Sequence, residues 1–254
     1  MRIDHLVIHL SEDKSQHRYI KQQADELNIP FHKDSSLSSS HVKVFRMQIG
    51  QEYLKLVKLF QPENNQWEPL WNQRFQEGHR GLFSIFLETD YLNSLCRLLS
   101  KRGIHYEGPK QPRSAGWMGL FQKDLPWQYI TTPPLKGTGL EIGFISYDNG
   151  MKEAQMQKRF PHTANRGING IHRIYVQLPE WQENLKQLQA MFPNLEAGDG
   201  EASLPLEDFF LIFQDASRSS SNECRAEVAT LNKTGELEGR TLDIENVHLR
   251  LTSE

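Results

Sequence analysis

Three stretches of this chain open alike, with a short apolar strand running directly into an amphipathic helix: Ile3 to Leu10, Gly81 to Thr89 and Gly170 to Leu178. Beyond each helix lie further strand-like runs before the next copy begins, a unit of about eighty residues. A sheet with one apolar face has to bury that face against a partner, so units of this kind pair. The concave surface between paired units is a natural place for a small molecule.

In the first unit, Ile3 to Leu10 reads as a strand and Asp13 to Leu27 as a helix stopped by Asn28-Ile29-Pro30. His41 to Ile49 and Tyr53 to Phe60 read as a hairpin turned at Gly50-Gln51. The connector that follows carries Trp67, Trp71 and Phe75 at helical spacing, which predicts a helix packed across a module edge. In the second unit, Leu82 to Glu88 is a strand, and Thr89 or Asp90 caps a helix ended by Gly103. Strands are expected near His105, at Tyr129 to Thr132 and at Leu140 to Tyr147, with a Pro-, Gly- and Trp-bearing loop from Gly108 to Trp127 long enough to serve as a lid. The third unit offers a strand to Leu178, a helix from Pro179 to Met191 with proline in its first turn, and strands at Phe209 to Phe213, Cys224 to Leu231 and Thr241 to Leu251.

Composition narrows the classes. A net charge of −3, from 29 basic and 32 acidic residues mixed along the chain, gives no basic stripe to track a phosphate backbone, so no nucleic-acid partner is expected. No segment approaches membrane-spanning length, and the charged, interrupted N-terminus does not read as a signal peptide; a cytoplasmic protein without a membrane partner is the expectation. Cys96 and Cys224 lack metal-type spacing, and Cys96 lies among leucines as a core thiol would.

Several of these segments together resemble the glyoxalase-like branch of the vicinal oxygen chelate (glyoxalase/bleomycin resistance/dioxygenase) superfamily. They are Asp4-His5-Leu6-Val7, Tyr53-Leu54-Lys55-Leu56, Gly81 to Leu92, Gly139-Leu140-Glu141-Ile142 and His162-Thr163-Ala164-Asn165. The resemblance runs the length of the chain by order and spacing. It implies an α+β fold of tandem βαβββ modules, with residues 1–160 forming two modules (about 1–80 and 81–160) paired around a cavity. Residues 161–254 would form a third, related module. In metalloenzymes of the family a divalent cation in that cavity chelates two substrate oxygens as a Lewis acid.

By that resemblance His5 stands at the first metal-ligand position and Glu141 at the closing carboxylate, for zinc, nickel, manganese or iron. Lys55 occupies the place of the family's glutamate, and Ser84 falls where the second module's counterpart of His5 belongs. An ammonium a few ångströms from a divalent ion is repelled by several kcal/mol at an effective dielectric of about 20. Either Lys55 is deprotonated, or the metal is absent or held elsewhere. Lys55 therefore reads as a base or an anion anchor, or else as a snorkelling surface lysine. Strand alternation puts Tyr53, Lys55, Val57 and Leu59 on one face. His162, in a His-Thr-x-Asn segment similar to the branch's His-Pro-Asn element, is a catalytic candidate or an ordinary loop histidine. Tyr53, Ser84, Trp127 and Gln128 are candidate ligand contacts, although aromatic residues at this density also serve as core or loop anchors. For His172 and Arg173 on the third opening strand the register is ambiguous by one residue, which decides which side chain faces inward.

Two functional classes follow. One is a metal-assisted lyase, isomerase or dioxygenase acting on a small organic substrate. The other is a protein that binds or sequesters a small molecule without metal or chemistry, which Lys55 and Ser84 favour. The third module has to bury its own sheet face against the first two or against another subunit, and a homodimer is the default.

Overall fold

The computed structural model describes residues 1–11, 13–34, 38, 41–60, 69–114, 123–148, 168–207, 209–218, 225–232 and 235–253. His162, Trp67 and Trp117 lie outside them.

The first half begins with β1 (Arg2–His9), α1 (Lys14–Glu26), β2 (Phe31–Lys33), β3 (Val42–Ile49) and β4 (Glu52–Leu59). Asp13 caps α1, its carboxylate accepting from the Ser15 amide at 2.8 Å. After α2 (Pro69–Gln76) come β5 (Gly81–Glu88), α3 (Leu92–Lys101), β6 (Glu107–Lys110), the short pair β7 (Arg113–Ser114) and β8 (Lys123–Asp124), then β9 (Trp127–Thr131) and β10 (Glu141–Tyr147). The second half runs β11 (Ile168–Leu178), α4 (Trp181–Met191), β12 (Glu196–Ala197), β13 (Glu201–Pro205), β14 (Phe210–Asp215), β15 (Arg225–Asn232), β16 (Thr241–Ile244) and β17 (Val247–Ser253).

These strands form an eight-stranded sheet, β2-β3-β4-β1-β5-β10-β9-β6, and a seven-stranded sheet, β12-β13-β14-β11-β15-β17-β16. The centres of the two sheets repeat one pattern. In the first, β1 is parallel to β4 and antiparallel to β5, which is parallel to β10. In the second, β11 stands to β14 and β15, and β15 to β17, in the same relations. The fold class is α+β, as the tandem strand-helix-strand grammar implies.

The third opening strand thus founds a second sheet, whose other half, β15 to β17, carries turns at 236–239 where the earlier units carry a helix. That stretch lacks an amphipathic period, and Gly235 and Gly239 take positive φ there. Three local expectations change. Thr241 to Leu251 is a hairpin, not one strand, because Glu245 at φ 55° turns the chain between β16 and β17. Pro179 precedes α4 instead of entering its first turn, since Glu180 at its N-terminus is left-handed. Tyr91, not Thr89 or Asp90, stands at the start of α3, with the Thr89 hydroxyl accepting from the Tyr91 amide.

Alternation divides each strand between two environments. Leu6 and Ile8 of β1, Leu54 and Leu56 of β4, and Ile142 and Phe144 of β10 join a core that also takes in Ile174 and Val176 of β11 and Val228 of β15. The opposite face of the first sheet carries a separate cluster built on Val7, Val57, Phe83, Phe86 and Ile145, over which α2 lays Trp71 and Phe75. Those two rings, one helical turn apart, each contribute roughly 2–3 kcal/mol by burial and cover the part of this face around His9 and Phe83. The sheets are also tied directly: the Leu82 amide donates to Asn246 Oδ1 at 2.6 Å. Gly81 permits that approach, because at its φ of +93° a Cβ would lie 2.0 Å from the same oxygen.

Candidate functional site

The face under α2 holds most of the residues singled out in the sequence. Register aligns Lys55 of β4 with Val7, Val7 with Ser84 of β5, and Ser84 with Glu141 of β10, so one rung crosses four strands. The next rung aligns Tyr53, His5 and Phe86. His5 and Val7 are two residues apart on β1 with no register shift between them, which puts His5 and Glu141 on the same face.

His5 is buried, its imidazole stacked between Tyr53 at 4.7 Å and Phe86 at 4.6 Å. Its Nδ1 lies 2.5 Å from Oδ2 of the fully buried Asp4, whose carboxylate also accepts from the Tyr147 hydroxyl at 3.1 and 3.2 Å. A regular strand would point Asp4 away from this face. A bulge between Ile3 and His5 turns it back. Burial pulls the His5 pKa down to about 4 despite the Asp4 carboxylate, which favours the charged form. At neutral pH the ring is therefore neutral, and with Nδ1–H directed at Asp4 its Nε2 carries the lone pair. Burial, helped by the same carboxylate, holds the Tyr147 hydroxyl far above its usual range, so it remains a donor.

Glu141 is fully buried and already engaged: Trp71 Nε1 donates to Oε1 at 3.1 Å, and an Arg74 guanidinium nitrogen lies 3.6 Å from Oε2. Arg74 is itself positioned by donating to the Gly139 carbonyl at 2.6 Å. Lys55, half-buried, places its ammonium 5.2 Å from the centre of the Trp71 ring. Two strands away on the same rung, the fully buried Ser84 hydroxyl has no hydrogen-bond partner among the described residues. Neither ring nitrogen of His9 has one. His9 stacks on Phe83 at 4.2 Å, and burial, with the nearby cations Arg80, Arg74 and Lys55, holds its pKa well below the usual value.

Trp127 lines the edge of this face against Tyr147, ring centres 6.0 Å apart. Gln128 does not: it pairs with Ser146 and points to the opposite face, by the alternation that brings Trp127 in. His162 lies outside the described residues. The sequence reading missed Asp4, His9, Trp71, Arg74 and Tyr147 as site residues. For Asp4 the only signal is its adjacency to His5, since the bulge that unites them leaves no mark in composition.

Among the described residues, no group of three or more His, Cys, Asp or Glu side chains is placed to hold a metal ion. The donor set explains this. Glu141 is committed to Trp71 and Arg74, Asp4 takes His5 Nδ1, and Lys55 brings a cation to the rung. These side chains do not fit the chelate that the resemblance implies.

A solved structure of a hypothetical protein from Staphylococcus aureus matches the whole chain, with TM-score 0.74 and 13% identity over 100% of this chain and 99% of that one. This likeness shows the fold. Partial matches are a hypothetical protein from Bacillus halodurans (TM-score 0.41, 16% identity, 58% of this chain and 95% of that one) and a methylmalonyl-CoA epimerase from Streptomyces coelicolor (TM-score 0.41, 14% identity, 58% and 97%). No family model and no curated protein sequence matches the chain. No helix among the described residues is long and apolar enough to cross a membrane.

Proposed function

We propose that this chain is a member of the vicinal oxygen chelate superfamily that binds a small aromatic or amphipathic carboxylate on the α2-covered face of its first sheet, without a chelated metal. One observation carries the reading: a buried hydroxyl, Ser84, and a buried imidazole, His9, lack partners on the face that presents the Lys55 ammonium. Buried polar groups without partners cost about 1–3 kcal/mol each, and a ligand's polar atoms would relieve that cost. Lys55 then anchors the carboxylate, while Tyr53, Phe86 and Trp127 supply ring contacts.

A second reading is an enzyme acting by proton transfer, and the Asp4–His5 pair favours it. An imidazole held in one tautomer by a carboxylate is the arrangement a general base needs. A metal-assisted lyase, isomerase or dioxygenase would instead draw on His5 and Glu141.

The test starts with the metal content of untagged protein purified without chelators, followed by calorimetric titration with benzoate and phenylpyruvate. The proposal expects no stoichiometric metal, and binding weakened at least tenfold in Lys55→Gln and in Ser84→Ala. Stoichiometric zinc, nickel, manganese or iron that disappears in Glu141→Gln would overturn it. Exchange of the phenylpyruvate methylene protons with solvent deuterium, lost in His5→Gln, would select the enzyme reading.

A further inference from the structure

The second sheet repeats the rungs of the first with different chemistry. The bulge between Ile171 and Arg173 matches that between Ile3 and His5, which fixes the register of the third opening strand: Arg173 stands where His5 does, Tyr175 where Val7 does and Gln177 where His9 does. The rung equivalent to Lys55–Val7–Ser84–Glu141 then reads Ile212–Tyr175–Glu227–His248, and the neighbouring rung reads Gln214–Gln177–Arg225. In the first sheet this region lies under Trp71 and Phe75. In the second it forms the floor of an open cleft of about 380 Å³, with Asn246 at its end.

The cleft has a definite charge pattern. Arg225 and Glu227 are two residues apart on β15, on one face and about 7 Å apart along the strand. Arg225 has no ion-pair partner among the described residues; Glu227 has a loose one, Arg250 at 3.9 Å. Across from Glu227, His248 is held by Asp243 through Nδ1 at 2.5 Å, leaving Nε2 as the outward nitrogen. Between them the floor is amide and phenol: Gln177, whose buried Oε1 has no partner, Gln214 and Tyr175. Arg225 and Glu227 are the cation and the anion of the lining, so an occupant with a carboxylate and an ammonium meets both; the Tyr175 hydroxyl already accepts from Arg173 and the Gln214 amide already donates to Glu201, which leaves the Gln177 amide oxygen to take the occupant's donor. Amino acids and dipeptides carry both charges within the span from Arg225 to Glu227.

We propose that this cleft is a second ligand site, independent of the first, that binds a small zwitterion of amino-acid or dipeptide size, with Arg225 on its carboxylate and Glu227 on its ammonium. The test is chemical-shift mapping of the full-length, isotope-labelled chain with L-glutamine and glycylglycine, with acetate and ethylammonium as single-charge probes. A zwitterion should shift the backbone amides of Tyr175, Gln177, Arg225 and Glu227. Each single-charge probe should bind at least tenfold more weakly, and Arg225→Gln and Glu227→Gln should each weaken zwitterion binding at least tenfold. No shifts up to about 10 mM zwitterion would overturn the proposal, as would shifts confined to the first sheet or equal binding of acetate. The mapping on unaltered protein decides the matter even where a variant fails to fold.

Discussion

Asp4 and His5 are neighbours in a strand, yet their side chains meet at 2.5 Å on one face. Successive residues of a regular strand point apart, so the contact exists only because β1 bulges. The bond supplies the one influence from a neighbour that raises the His5 pKa against burial. Asp4→Asn, which keeps the shape and removes the charge, should move that pKa below about 4. Titration of the His5 ring signals by NMR checks this, and an upward shift would sink the account.

Stability should fall with acid over a defined window. His5 titrates near 6.5 when unfolded and near 4 when folded, and His9 is displaced in the same direction. Between those values the unfolded chain binds more protons, so the stabilisation is whole above about pH 6.5 and is lost as pH falls towards 4. His5 alone accounts for about 3 kcal/mol across the window. Urea unfolding at pH 7, 6 and 5 should show decreasing midpoints, with a shallower dependence in His5→Gln. Midpoints that do not change between pH 7 and 5 would contradict the assignment.

Trp71 is more than a cover. Its indole nitrogen serves the buried Glu141 carboxylate at 3.1 Å. Trp71→Phe retains an aromatic ring but withdraws that donor, at a cost of about 1–3 kcal/mol. Denaturant midpoints measured beside Phe75→Leu, which removes only apolar contact, separate the hydrogen bond from packing.

Gly143 sets the position of the ring beneath His5. A Cβ there would lie 2.5 Å from the Phe86 ring, and a ring on a buried strand cannot yield without leaving its stack. Gly143→Ala should destabilise by about 1–3 kcal/mol and shift the His5 ring signals, since Phe86 is one of its two stacking partners. Unchanged His5 signals would show that the stack does not depend on Gly143.

Much of this fold is written in local pattern. The alternation of β4 sorts Val57 and Leu59 from Leu54 and Leu56 as the two clusters do, and the 42–59 hairpin turns at Gly50-Gln51. The rung that unites Lys55, Ser84 and Glu141 is legible only through the repeat, because its successive aligned residues lie 48, 77 and 57 positions apart in sequence. Bulges are where such reading stops. One extra residue leaves periodicity almost unchanged, yet it decides that Asp4 reaches His5 and that Arg173, rather than His172, takes the equivalent place. The second half of the chain is less legible for a related reason: its last strands lack the helix that marks the other copies, so the hairpin of β16 and β17 resembles one continuous strand.

The bond from the Leu82 amide to Asn246 makes a single proton a gauge of how the two sheets are docked. That proton sits near the start of β5, an interior strand of the first sheet, but its acceptor belongs to the β16–β17 turn. Its hydrogen exchange should follow the opening of the second sheet, whereas the amides deeper in β5 follow the first. Comparing their exchange rates would measure how far one half of this chain can loosen while the other stays closed.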